Sequence, residues 1–317
     1  MQRLTALASL SLAAVVSAIL LYIGLTAQLI PFTQVVVIGL LTGGVFALLA
    51  ASLSIVYGVL NLPNFAHGDL MILAAYVGFF VFGSGLPIAW VVVPALLLGG
   101  LGVALGTTIL RPRTTGYKLE EPLLVTFGLS LIIENLMTYF WTGNARLISV
   151  SYSDVSLNLG WGLVLPVQLS ISCAAGILAT YSLWFILFKT KRGKSIRAVA
   201  QDSGAASMMG MDVPHIQLLA LVLGLAYIGV TGVLWGVTFS FDPVSGITYT
   251  LVAFTVVTIG GAGNIRGILV GGFILALSES IGAFVVGTGF TNIVGYAIFI
   301  VFLLAKPTGL FSGGRMF

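Results

Sequence analysis

Two carboxylates stand inside runs that are otherwise apolar. Glu134 lies in LSLIIENLMTYF and Glu279 in ILALSESIGAF. An ionisable group in such a run is costly to bury and usually faces a bundle interior or water. Glu134 with Asn135 would line a cavity, and Ser278 and Ser280 flank Glu279 closely enough to hydrogen-bond it. For each, the competing reading is a structural bond between helices. A second constellation is IVYGVLNLPNFAHGDLMILAAY, residues 55–76, where Gly58, Asn61, Pro63, Asn64, His67, Gly68 and Asp69 interrupt two apolar runs. Pro63 and Gly68 break helices, and the Asn64 side chain accepts hydrogen bonds from freed amides. Such a break at membrane depth needs protein or a water-filled cavity to satisfy its backbone. It reads either as a broken helix beside a solute path or as a tight turn in which His67 and Asp69 cap the next span. The pair also has the chemistry of a proton relay. A third segment, TIGGAGNIRG at 258–267, is glycine-rich and ends near Arg266. It lacks the lysine and hydroxyl residue of a phosphate-binding loop and any strand–helix context, so it reads as a flexible turn or unwound helix. The single cysteine, Cys173, sits in an apolar run and reads as a small buried hydrophobe. One cysteine excludes an intramolecular disulfide and a cysteine-based metal site.

The elements that must position these groups follow from composition. Of 317 residues, 59% are hydrophobic and 7% charged, against about 25% charged in soluble domains, and mean hydropathy is +1.15. A water-soluble fold cannot cover that much apolar surface, so the chain reads as an all-α polytopic membrane protein, a single transmembrane domain over 1–317. Apolar runs at 6–28, 35–57, 69–83, 87–110, 123–141, 166–188, 216–239, 248–262, 267–286 and 291–305 are candidate spans. The third and eighth are short enough to be half-helices or re-entrant segments, so eight to ten helices cross. The run from Leu4 is longer than a secretory signal and reads as an uncleaved first span. With alternating spans, 12 of the 13 Lys and Arg residues fall on one side and only Arg146 on the other. The positive-inside rule then puts both termini in the cytoplasm. The net charge of +4 comes from those loops and gives no reason to expect nucleic acid. Glycines such as Gly99, Gly100, Gly102 and Gly106, among 40 in all, read as helix-packing faces.

The loop at 189–215 holds five cations, Lys189, Lys191, Arg192, Lys194 and Arg197, followed by an ordered pattern. Ser195 is a candidate N-cap. Ile196, Val199, Ala200 and Ala206 share a helical face, Gly210 is a stop, and Pro214 stands where the next helix would begin. Charge alone fits an anchor to anionic lipid headgroups. The ordered pattern fits one or two short amphipathic helices that dock another protein.

Three blocks carry a specific resemblance: GGVFALLAASLSIVYGVLNLPNFAHGDLMILAAY, RGKSIRAVAQDSGAASMMGMDVPHI and FTVVTIGGAGNIRGILVGGFILALSES. They resemble, in the same order, the branched-chain amino-acid ABC transporter permeases of the LivH type. The resemblance implies a permease subunit of an importer in a bacterial inner membrane, working by alternating access. A second, related permease chain completes the pore, and an extracytoplasmic binding protein delivers substrate. Two cytoplasmic ATPase subunits bind ATP and magnesium, so this chain itself is no enzyme and needs no cofactor. The 189–215 loop becomes the ATPase-coupling segment, with Ser195, Arg197, Ala198, Gln201, Asp202, Met209 and Gly210 at the contact. Ser203-Gly204 after Asp202 departs from the family pattern and loosens the helix there. The substrate pathway draws on Asn61, Asn64, His67, Asp69, Glu134, Asn135 and Glu279. Those same ionisable groups motivate the alternative, an ion-coupled secondary transporter or channel. Related permeases also carry urea or short amides.

Overall fold

The structure, a computed structural model, describes residues 29–60, 63–83, 88–109, 120–160, 162–305 and 309–310. The candidate span at 6–28, Asn61 and the cations at 3, 111, 113, 118, 306 and 315 lie outside them. Helices α1 (Leu29–Leu60), α2 (His67–Gly83), α3 (Val92–Ile109) and α4 (Glu120–Trp141) come first. After a connecting segment come α5 (Val167–Lys189), then two short helices, α6 (Lys191–Gln201) and α7 (Ser203–Met208). The chain ends in α8 (Val213–Thr238), α9 (Gly246–Gly260), α10 (Ile265–Val286) and α11 (Thr291–Ala305). Among the described residues, six segments are long and apolar enough to cross a membrane, and three shorter apolar helices accompany them. A span needs about 20 residues, so the chain is a multi-pass membrane protein.

Local chemistry sets the boundaries. Pro63 disfavours helix in the residue before it, and α1 stops at Leu60. Asp212 accepts from the His215 N–H and Pro214 sits in the first turn of α8, as the sequence predicts. Asn264 caps α10 by accepting from the Gly267 N–H at 3.1 Å.

Helix α1 is the hub. It packs on α10, α5, α8 and α9, and small residues make the close approaches. A Cβ on Gly44 would collide with Cys173 of α5, and one on Gly272 of α10 with the Ala47 backbone. Cys173 is thus the buried packing residue the sequence predicts. Gly99, Gly102 and Gly106 of α3 face Val222, Leu225 and Leu218 of α8, whereas Gly100 faces open space.

The all-α reading needs one correction. Strands β1 (Ser156–Gly160) and β2 (Leu163–Pro166) form an antiparallel hairpin in the segment between α4 and α5. Gly160 and Gly162 adopt φ of +81° and +79°, which reverses the chain tightly. Gln34 of α1 pairs with β2 as a strand would: its Nε2 donates to the Val164 carbonyl at 2.6 Å and its Oε1 accepts from the Val164 N–H at 2.9 Å.

Candidate functional site

The interruption between α1 and α2 is a polar junction. The Asn64 side chain accepts from the Ala66 N–H at 3.1 Å, and its carbonyl from the His67 N–H at 3.3 Å. These bonds shape the turn, as the sequence predicts for Asn64. His67, Gly68 and Asp69 each bind a different helix.

His67 turns to α1. Its Nε2 lies 3.1 Å from Ser52 Oγ and 3.2 Å from the Leu49 carbonyl. Ser52 donates its own hydrogen to Leu49 O at 2.7 Å, so Nε2 carries the proton and donates, while Nδ1 is buried without a partner. Gly68 turns to α9. Its N–H donates to Thr250 Oγ1 at 2.8 Å, and a Cβ there would strike the Gly246 carbonyl. Asp69 turns to α4, where its Oδ2 accepts from the Ser130 hydroxyl. Asp69 is fully buried, and its Oδ1 has no hydrogen-bond partner. A Cβ on Gly246 would strike that Oδ1. His67 and Asp69 therefore face different helices and share no hydrogen bond.

The junction packs partway along α1 and not at its end. Ser52, the level of His67, is eight residues before the end of α1, which is about 12 Å at 1.5 Å per residue. The chain therefore climbs back along α1 before α2 begins.

Glu134 lies one turn beyond Ser130 on α4 and is half-buried, while Asn135 is exposed and donates to its own helix at Leu131 O. Glu279 is half-buried on α10 beside Gly295 of α11. Ser278 does not hold Glu279: its hydroxyl donates to the Ile274 carbonyl. The structure brings Asn64, His67, Asp69 and the Ser130–Glu134 turn to one region. Glu279 stands apart on a helix that shares no packed interface with α4.

Helix α4 is the least covered of the long spans. It packs on α2 and on the Pro243–Ser245 turn, and Leu124, Phe127, Ile132, Leu136, Tyr139 and Phe140 are exposed along it. Its C-terminal end is stapled by Arg146, whose role the sequence reading missed although it singled out that residue as the one cation apart from the rest. Arg146 Nη2 donates to the Trp141 carbonyl at 2.8 Å, and its guanidinium lies over Tyr76 and Phe79. Trp141 itself stacks on Tyr76 at 4.7 Å. Between α2 and α4 an apolar groove of about 330 Å³ is lined by Leu73, Ile133, Leu136, Met137, Phe140 and Trp141.

The 189–215 loop folds as two amphipathic helices. Ile196, Val199 and Ala206 are buried, as their shared face predicts. The N-cap is Thr190, which accepts from the Gly193 N–H at 3.0 Å; Ser195 lies inside α6 and reaches back to Lys191 O. The helix starts earlier than the sequence reading expects because Thr190 follows α5 directly. Asp202 ends α6 and caps α7 by accepting from the Ala205 N–H at 2.8 Å, so the chain breaks where Ser203-Gly204 was expected to loosen it. Arg197 is partly spoken for, its guanidinium lying 4.5 Å over Phe188. Ala198 is half-buried and Gln201 exposed. Met209 and its neighbour Met208, absent from the sequence reading, are 81% and 87% exposed, and Gly210 turns at φ +80°.

The glycine-rich turn at 258–267 is tied down and not loose. The Gly263 N–H donates to Ser54 Oγ at 2.8 Å, and Leu310 N–H to Ile259 O at 2.8 Å.

Against known proteins, residues 35–303 match the family described as branched-chain amino acid transport system / permease component. The high-affinity branched-chain amino acid transport system permease protein BraD of Pseudomonas aeruginosa is 26% identical over 299 residues, 88% of this chain and 95% of that protein. LivH of Escherichia coli K12 is 26% identical over 299 residues, with coverages of 89% and 96%. A probable LivH of Methanocaldococcus jannaschii is 29% identical over 274 residues, covering 83% and 87%. Among solved structures, a chain of PsaBC from Streptococcus pneumoniae in complex with Fab covers 88% of this chain and 94% of that one, at 16% identity and a TM-score of 0.48. With one family matching nearly all of the helical bundle that holds the junction and the paired short helices, the chain belongs to the branched-chain amino acid transport permease family.

Proposed function

We propose that the chain is the permease subunit of an ATP-driven importer that moves branched-chain amino acids across a bacterial inner membrane by alternating access. The family match over residues 35–303 carries this reading. The nine long helices described and the apolar run at 6–28 would make ten spans, with α2 re-entrant at its start and both termini cytoplasmic. In that orientation α6 and α7 face the cytoplasm. They dock an ATPase subunit through the exposed Met208, Met209 and Gln201, with Asp202 and Gly210 setting the shape of the knob and Ser195, Arg197 and Ala198 holding α6 in place. Exposed Met pairs suit an apolar groove on a partner because the side chain adapts its shape. ATP and magnesium bind on that partner. The open face of α4, with Glu134 and Asn135, meets a second, related permease across the pathway, and a binding protein delivers substrate from outside. The pore-lining role of Asn61, Asn64, His67, Asp69 and Glu279 is part of the same proposal, with the junction residues acting from behind α4.

The test is reconstitution with the ATPases, second permease and binding protein encoded beside it. Leucine uptake into proteoliposomes is expected to require ATP and all components. Uptake by this chain alone, driven by an ion gradient, would replace this reading with that of a secondary transporter, and uptake of urea or short amides without leucine would change the substrate class.

A further inference from the structure

We propose that the hydrogen bond between Ser130 and Asp69 is a latch that holds the inner half of α4 in place and opens when the importer changes state. This rests on the reading of α4 as the pathway helix. Three observations carry it.

First, α4 has few ties. Among the described residues it packs on α2 and the Pro243–Ser245 turn, and most of its apolar side is open. The outer end is fixed by Trp141 on Tyr76 and by Arg146. Towards the inner end the polar ties are Ser130 to Asp69 and a longer bond of 3.4 Å from the Phe65 N–H to Thr126 Oγ1. Release of Ser130 would leave the longer Thr126 bond as the remaining inner polar tie, so that α4 could pivot about Trp141 once that weaker bond yields.

Second, Asp69 is on the fixed side. Its neighbours His67 and Gly68 bind α1 and α9, and the close contacts of Gly68 and Gly246 leave no room for that turn to shift. The docking helix α6 packs on α5, α8 and α1, the body to which Asp69 is tied. Displacement between that body and α4 is therefore taken up at the Asp69–Ser130 seam.

Third, Asp69 is half-satisfied. One buried carboxyl oxygen takes Ser130 and the other has no partner. A buried polar group left unpaired is destabilising, and an apolar pair would hold two helices together with less penalty. A contact that must break and reform does not need the stronger solution. A switch needs a bond present in one state and absent in the other, and this bond joins the least-tied helix to the most-tied turn.

The test uses the complete importer in proteoliposomes. In a Cys173→Ala background, Asp69→Cys with Ser130→Cys is bridged by a short bifunctional thiol reagent. The bridged complex is expected to keep its ATPase subunits and lose uptake by about tenfold or more, recovering on reduction. Bridged complexes that transport at the unbridged rate overturn the latch. Because replacing a buried carboxyl can impair folding, Ser130→Ala and Ser130→Thr are measured as well. Ser130→Ala is expected to raise the ATP hydrolysed per leucine carried while leaving the KM for loaded binding protein unchanged, and Ser130→Thr, which keeps the hydroxyl, to restore the ratio. An unchanged ratio in Ser130→Ala overturns the proposal. Labelling of Leu136→Cys by an impermeant thiol reagent reports on the pathway separately. Protection in every state sinks the pathway reading; labelling together with unchanged coupling sinks only the latch.

Discussion

Gly68→Ala puts the smallest side chain into the tightest point of the junction. Its Cβ would meet the Gly246 carbonyl and Thr250 Oγ1, 2.7 Å away. The hydroxyl could turn aside, but the carbonyl is backbone in the first turn of α9 and cannot. The first turn of α2 must then move off α9. Overpacking of this kind costs about 1–3 kcal/mol, and losing the Gly68 N–H bond to Thr250 adds about 1 kcal/mol. Helix propensity works the other way, since Ala is favoured over Gly by roughly 1 kcal/mol in a helix interior and by less in a first turn. The net expectation is a loss of about 1–3 kcal/mol. Reversible unfolding in mixed micelles of increasing SDS fraction, followed by tryptophan fluorescence, measures it. Gly100→Ala is the control: nothing lies within 4 Å of its Cβ, so propensity alone predicts a neutral or slightly stabilising change. If Gly68→Ala matches Gly100→Ala within about 0.5 kcal/mol, the scatter of an ordinary surface substitution, the junction is not the rigid point described.

Changing Met208 and Met209 both to Glu is expected to abolish co-purification of the ATPase while leaving the unfolding midpoint of the permease unchanged, because both side chains are exposed. Arg146→Gln removes the guanidinium from Tyr76 and Phe79 and weakens the bond to Trp141 O; unfolding should show a loss of roughly 1–3 kcal/mol. Gln34→Leu deletes both bonds to Val164 and should make the 156–166 hairpin a cleavage site for protease added from outside, detected as a new fragment ending between β1 and β2.

The helices were legible because the apolar runs are sharply bounded, although only six described segments are long enough to cross a membrane. Nine of the runs recur as helices with boundaries shifted by a few residues, and the tenth, 6–28, lies outside the described residues. The two short helices at 191–208 were legible in outline for a different reason: Ile196, Val199 and Ala206 keep helical spacing amid charge, a pattern that burial against the bundle explains. The cap was misread because Ser195 and Thr190 have the same capping chemistry, and only the end of α5 decides between them. The hairpin was missed because β1 is only five residues long and β2 four, and Gln34, which fastens β2, is 130 positions away. Long-range partners are the general gap. Nothing local in NFAHGD says that His67 meets residues 49 and 52, Gly68 residue 250 and Asp69 residue 130.

That assignment of three neighbours to three helices constrains how the chain can move. A turn with one tie could follow whichever helix shifted, but His67, Gly68 and Asp69 cannot follow α1, α9 and α4 at once. His67 is held by two acceptors on α1 and Gly68 by a bond and a steric contact on α9, whereas Asp69 has one bond to α4; His67 Nδ1 and Asp69 Oδ1 are both without a partner. Of the three ties, the last is the one made to the least covered of the long helices. An importer that must separate one helix from the rest without unfolding its centre would place the weak tie there, between the turn anchored to α1 and the helix with the open face.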